Sequence, residues 1–228
     1  MAKESASIRI SAAIREDIFR GHLHSGTSLI ETELSEKYKV SRNTLREAFQ
    51  LLHMQGLVTQ ERNKSVRIRR MTLDDMKDIF IVRRLFELSA LDHKSAITNE
   101  WLDKMRQLIA CEEKAVESSQ AKSIGTYSLI FHQHIVALHK SERIDQMFAT
   151  IIPQLRLIFV SGPLELSYQT QWVKREIEIW QFISNGECDK AKQALSDYLD
   201  ESEKYLVTSS IDNEQPFESL LMEVNYGL

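Results

Sequence analysis

Proline and glycine are scarce in this chain, with 3 and 7 among 228 residues. So few turn formers argue against an all-β or dinucleotide-binding sheet fold and point to long helices. Cysteine is scarcer still: Cys111 and Cys188 stand alone. Two thiols without metal-type spacing make no disulfide framework and no metal knuckle, and they suit a reducing cytoplasm. No apolar run approaches the length that crosses a bilayer, and the opening MAKESASIRI lacks the apolar core of an export signal. The expectation is a cytoplasmic chain with no membrane partner. There is no Gly-rich phosphate loop and no recognisable nucleophile–base pair, so catalysis has little to start from.

What is present is 43% hydrophobic and 27% charged residues, enough for a packed core. The net charge of −4 hides an asymmetry. Residues 1–70 carry 13 Lys and Arg against 8 Asp and Glu, while the remainder carries 16 against 25. A basic front and an acidic rear suggest two domains with different partners.

In the front part, Ile10, Ile14 and Ile18 recur every four residues and mark one apolar helix face that stops at Gly21. HLHSGTSL reads as a loop, and Ile30, Leu34 and Tyr38 as one side of a second short helix. Ser41 is placed to cap a third helix, with Val40 and Leu45 as a hydrophobic staple. On that helix Leu45, Ala48, Phe49 and Leu52 share a face, and Arg42, Asn43, Arg46 and Gln50 form a neighbouring polar arc. Two exposed arginines on a helix are ordinarily just a solvated surface. Here they stand at a capped helix start whose free N–H groups favour phosphate, with side chains able to pair with guanine (Arg) and adenine (Asn). After Gly56 the period changes to two: Val58 and Gln60, then Val66 and Ile68, alternate with polar residues around Arg62-Asn63-Lys64-Ser65. Three helices followed by a basic hairpin have the form of a DNA-reading head with a wing.

The run from Ile14 to Arg70 resembles the winged-helix domain of GntR-family transcriptional regulators. The matching positions are Ile18, Gly21, Leu23, Gly26, Leu29, Glu31, Leu34, Val40-Ser41-Arg42, Leu45-Arg46-Glu47-Ala48 and Gly56-Leu57-Val58. Ser25 and Thr44 stand where that family usually has proline, and Ser65 where many members have the wing-tip glycine. Carried over by position, the DNA contacts fall on Thr32, Arg42, Thr44, Arg46, Arg62 and Lys64; Ser41 joins them as the cap and Asn43 from the helix geometry.

From Thr72 onward the pattern is helical, with helices expected near 72–97, 99–118, 121–140, 142–160, 168–185 and 187–209 and a kink at Pro153. IVRRLFELSA, FHQHIVALHKSERI and ISNGECDKAKQALSDYL resemble the all-helical ligand-sensing domain of FadR-like GntR regulators. The fold expected is mainly α: a winged helix-turn-helix with a small β-hairpin over 1–71, a helical effector and dimerisation bundle over 72–212, and a tail over 213–228. Many of those regulators hold a divalent metal on an Asp, a His four residues on, and two later His. Here the positions are Ser128, His132, Glu176 and Tyr198, so no metal cofactor is expected. His132 and His134 diverge by about 200° on one helix and cannot chelate together. The second reading of His132 is a core histidine bonded to Glu176 or Tyr198. Arg83 and Arg156 each interrupt an apolar stretch, and a buried arginine needs an anion. Either an internal partner such as Glu87 or Glu176 supplies it, or an anionic effector does.

The function implied is a bacterial DNA-binding regulator, by family default a repressor. It would bind operator DNA as a homodimer and respond to an organic acid held by Arg83, His132, Arg156, Glu176 and Tyr198. The alternatives are a carboxylate-handling or metal-dependent enzyme fused to a DNA-binding head, and a DNA binder that needs no ligand.

Overall fold

The computed structural model describes residues 5–60, 65–159 and 165–214. The chain begins with α1 (Ala6–Phe19), whose first turn is closed by the Ser5 hydroxyl accepting from the Ile8 amide. The stripe of Ile10, Ile14 and Ile18 is buried, and Gly21 (φ +70°) turns the chain away in a conformation that favours glycine. Next come β1 (Ser28–Leu29), α2 (Glu31–Tyr38), α3 (Arg42–Met54), β2 (Val58–Thr59) and β3 (Val66–Ile68). The three strands form one antiparallel sheet in the order β1-β3-β2, with Val58 opposite Ile68 and Leu29 opposite Val66. The hairpin matches the sequence reading; its turn lies outside the described residues. The third strand was missed, because Ser28–Leu29 is too short to show a period and exists only by pairing with β3. Ile30 is also corrected: it is the residue before α2 and is 44% exposed.

The front core joins Ile10, Ile14 and Ile18 to Leu45, Phe49, Leu52, Val58, Val66 and Ile68. Ser41 caps α3 by accepting from the Thr44 amide at 3.1 Å, and Leu45 is fully buried with Val40 packed at the edge of the same core.

The rear part is a bundle of α4 (Leu73–Arg83), α5 (Asn99–Glu117), α6 (Ala121–Val136), α7 (Glu142–Ile158), α8 (Glu165–Ser184) and α9 (Cys188–Glu214). The helix expected over 72–97 is shorter. It passes from α4 into a π-helical turn over Arg84–Leu88 and ends near Ala90, and the chain then forms a short 3-10 turn over Lys94–Ala96. Helix α7 runs through the buried Pro153 to Ile158, and α9 reaches Glu214, past the expected end; the tail beyond it lies outside the described residues. Both thiols are free, Cys111 exposed and Cys188 buried. Among the described residues no helix is long and apolar enough to cross a membrane.

The two parts are joined by more than the chain. Helix α7 sends Leu157 into the front core. Ser25 Oγ donates to the Leu157 carbonyl at 3.0 Å, and Gln154 donates to the Gln55 carbonyl at 2.9 Å. Ser25 stands where the resemblance leads one to expect proline, and its hydroxyl makes a bond that proline cannot.

Helix α4 starts with a capping box: Thr72 Oγ1 accepts from the Asp75 amide at 3.1 Å, and Asp75 accepts from the Thr72 amide at 2.8 Å. Asp75 also takes a 2.7 Å bond from Arg69 at the end of the front part. Thr72→Ala is expected to cost about 1 kcal/mol of stability, read as a lower urea midpoint at unchanged slope; an unchanged midpoint would contradict the capping assignment.

Candidate functional site

Two sites emerge. The first is the outer corner of the front part. Thr32, Ser41, Arg42, Asn43 and Arg46 are exposed there, with Thr44 half-buried. Arg46 is held by Glu31 of α2 in a two-pronged bond, Nε to Oε1 at 3.1 Å and Nη2 to Oε2 at 3.2 Å. That hydrogen bond and the Glu31 charge raise the Arg46 pKa further above its ordinary value. Asn43 donates to Glu47 at 3.1 Å. The Thr44 hydroxyl, expected to face DNA, instead sits 2.9 Å from Ser41 Oγ within the cap. Arg42 projects from the first turn, where free amides concentrate positive potential. On the wing, Arg67 is exposed and donates to the Gly26 carbonyl at 3.2 Å. Arg62 and Lys64 lie outside the described residues. The corner therefore presents guanidinium, amide and hydroxyl groups beside a helix N-terminus. That suits a phosphate backbone and base edges.

The second site is inside the bundle, where the chain buries ionisable groups in a line. Arg83 Nε donates to Glu87 Oε1 at 2.7 Å, and Glu87 Oε2 lies 2.7 Å from His132 Nδ1. The far nitrogen of His132 is 3.7 Å from Glu176 Oε1, which accepts from Ser128 Oγ at 2.6 Å and from the Tyr198 hydroxyl at 2.9 Å. Glu112 of α5 lies against Glu176. Burial alone would raise the Glu87 pKa, but Arg83 and His132 outweigh it and hold it at about 2. Glu112 has no such partner: burial, then the neighbouring Glu176, pushes its pKa well up. Burial and Glu176 likewise raise that of Tyr198.

Of the expected effector residues, Arg83, His132, Glu176 and Tyr198 do meet here. Arg156 does not. It pairs with Glu165 at 3.0 Å and packs at the joint between the two parts, where a Cβ on Gly21 would come within 2.0 Å of its Nη2. His132 bonds Glu87 rather than Glu176 or Tyr198. His134 leaves the cluster altogether, stacked on Trp101 and bonded to its carbonyl. Two further members of the site are Glu87, which the sequence offers as a partner for Arg83, and Glu112. Glu112 follows Met105 and Ile109 on the buried face of α5, so an acid in an apolar stripe was the available signal.

The metal pattern of the resemblance can be tested on these side chains. Ser128, His132, Glu176 and Tyr198 converge as that pattern requires. However, both hydroxyls donate to Glu176 and one His132 nitrogen is engaged by Glu87. Among the described residues no three His, Cys, Asp or Glu side chains come together so as to hold an ion. The residues present do not fit a zinc-type centre, which takes four nitrogen, sulfur or carboxylate ligands.

The raised pKa of Glu112 sets a pH dependence. The folded chain holds this proton at a pH where the unfolded chain has lost it. Stability is therefore full below the unfolded pKa and falls as pH rises through the folded one. Glu112→Gln removes that loss. Its melting temperature is expected to exceed that of the parent by a margin that grows from about pH 5 to about pH 8; a margin independent of pH would refute the assignment.

Comparison with known proteins follows the same division. Residues 6–68 match the family described as "Bacterial regulatory proteins, gntR family", and residues 78–201 match the FCD domain. The gluconate operon transcriptional repressor of Bacillus subtilis (strain 168) is 25% identical over 154 residues, 67% of this chain and 63% of that protein. The repressor RspR of Escherichia coli (strain K12) is 22% identical over 200 residues, 85% of each chain. The match thus spans less than two thirds of the gluconate repressor and most of RspR. A GntR-type structure from Rhodococcus sp. RHA1 superposes with a TM-score of 0.84 at 27% identity, covering 90% of this chain and 99% of that one. Escherichia coli McbR/YncC shares the fold, with a TM-score of 0.79 at 14% identity over 91% and 100% of the two chains. With its front and rear parts each matched, the chain belongs to the gntR family of bacterial regulatory proteins, among the members that carry an FCD domain.

Proposed function

We propose that the chain is a DNA-binding transcriptional regulator, acting as a repressor, in which residues 1–71 read an operator and residues 72–212 sense a small molecule. The observation that carries this reading is the corner of α2 and α3, with Arg42, Asn43 and Arg46 exposed at the capped start of a helix. A helix so placed can enter the major groove while the wing follows the backbone. Arg46 reaches its target by exchanging the Glu31 carboxylate for a guanine edge or a phosphate. The names of the gluconate and RspR relatives favour repression.

The effector, a small molecule with an acid group, binds at the interior cluster of Arg83, His132, Glu176 and Tyr198 without a resident metal. The chain acts in the cytoplasm as a regulator rather than an enzyme. Helix α7 touches both parts, so a change in bundle packing reaches the winged helix through Gln154, Arg156 and Leu157. A coupling of this kind is worth about 1–3 kcal/mol.

A two-fold operator calls for two copies of the chain. Ile81 of α4 and Leu85 of the π-turn that follows lie one turn apart and are 56% and 65% exposed; Met147 of α7 is 59% exposed. We assign this apolar face to a second copy, because a patch of this kind is self-complementary under two-fold symmetry.

Arg42→Ala and Arg46→Ala are each expected to weaken binding to an operator selected from random DNA by about 1–3 kcal/mol and to relax base preference. Unchanged affinity in both variants would remove the corner from the interface. Leu85→Glu is expected to halve the mass seen by sedimentation; a mass equal to that of the parent would place the dimer contact elsewhere.

A further inference from the structure

The interior cluster buries polar groups that its own residues satisfy poorly. On one side the Glu112 carboxyl keeps its proton and shares it with the neighbouring Glu176. On the other are two donors without an acceptor, Arg83 Nη2 and Trp172 Nε1. Glu112, Glu176 and His132 are at most 1% exposed and Arg83 is 2% exposed, so water does not readily satisfy these atoms. Tyr198 touches both sets. Its hydroxyl bonds Glu176, its ring centre is 5.0 Å from that of His132 and 5.3 Å from that of Trp172, and the Arg83 guanidinium carbon is 5.9 Å away.

We propose that the ligand of this site is a zwitterion, an amino acid or a close relative, whose ammonium group meets Glu112 and Glu176 and whose carboxylate meets Arg83 Nη2 and Trp172 Nε1. The proposal rests on the reading of the cluster as the effector site and adds the charge pattern of the effector. A plain carboxylic acid suits the site poorly. It would add a negative charge beside Glu87 and Glu176, while Arg83 is already bonded to Glu87. An ammonium has three N–H donors and takes the place of the proton that Glu112 and Glu176 otherwise share. The cation that the metal pattern of related regulators would provide arrives here on the ligand. The acid group expected from the sequence keeps its place, at Arg83.

The test is calorimetric titration of the full-length protein. The probes are the standard amino acids and simple ω-amino acids, each with its N-acetylated and decarboxylated form, then the parent carboxylic acids, and zinc and manganese chlorides alone. At least one free amino acid is expected to bind while both of its blocked forms fail, and Glu112→Gln should weaken it about tenfold or more. The folding of that variant is checked by its melting curve. Binding by no free amino acid overturns the proposal. So does a metal ion whose binding is lost in Glu112→Gln. Binding of a plain carboxylic acid that Tyr198→Phe weakens overturns the zwitterion and leaves the effector site standing. A bound amino acid indifferent to both Glu112→Gln and Tyr198→Phe removes the cluster as effector site altogether.

Discussion

The bundle is organised around one constraint: a guanidinium and a carboxylate have been taken out of water together. Arg83 and Glu87 are both nearly inaccessible, and neither could be buried alone without a penalty of several kcal/mol. They are four residues apart on a helix that widens into a π-turn just after Arg83. Such turns are rare and recur at functional sites. Glu87 lies within it and engages Arg83 on one oxygen and His132 on the other. From that pair outward, each polar side chain is positioned by its neighbour: His132 faces Glu176, and Glu176 gathers Ser128 and Tyr198. The apolar helices around them supply the low dielectric that makes these bonds strong and an unmatched group costly.

The group without a counter-charge is Glu112. A folded chain selected for stability alone would hold an apolar side chain or an amide there. Sites that bind ligands commonly retain such unfavourable features, because the arrangement that suits the ligand is not the one that suits the empty protein.

Much of the front part was legible in the sequence because its signals are local. The isoleucines of α1 repeat at helical spacing, Ser41 stands one residue before Arg42, and the change to period two marks the hairpin. The parts that were missed depend on distant partners. Ser28–Leu29 is a strand only because β3 lies beside it, and the Thr44 hydroxyl turned inward because Ser41 Oγ was within reach. In the bundle, the convergence of Ser128, His132, Glu176 and Tyr198 was visible only through family resemblance, since their spacing along the chain carries no geometry. Arg83 and Glu112 carry the same kind of sequence signal, a charge within an apolar stripe. Arg83 was read and Glu112 was not, because ACEEKAVE looks like an ordinary solvated helix end. Arg156 gave that signal too, and its meaning was architectural: it fills the joint rather than the pocket.

That joint has an evolutionary consequence. Leu157 is part of the wall of the front core, Ser25 is bonded to its carbonyl, and Gly21 leaves the room that Arg156 occupies. The reading head is thus fitted to this particular bundle rather than hung from a tether. Recombination that grafted a foreign head here would strand a leucine in water and crowd a buried guanidinium. Shuffling of heads among relatives is therefore confined to partners that bring a small residue at position 21 and a shallow apolar socket for position 157.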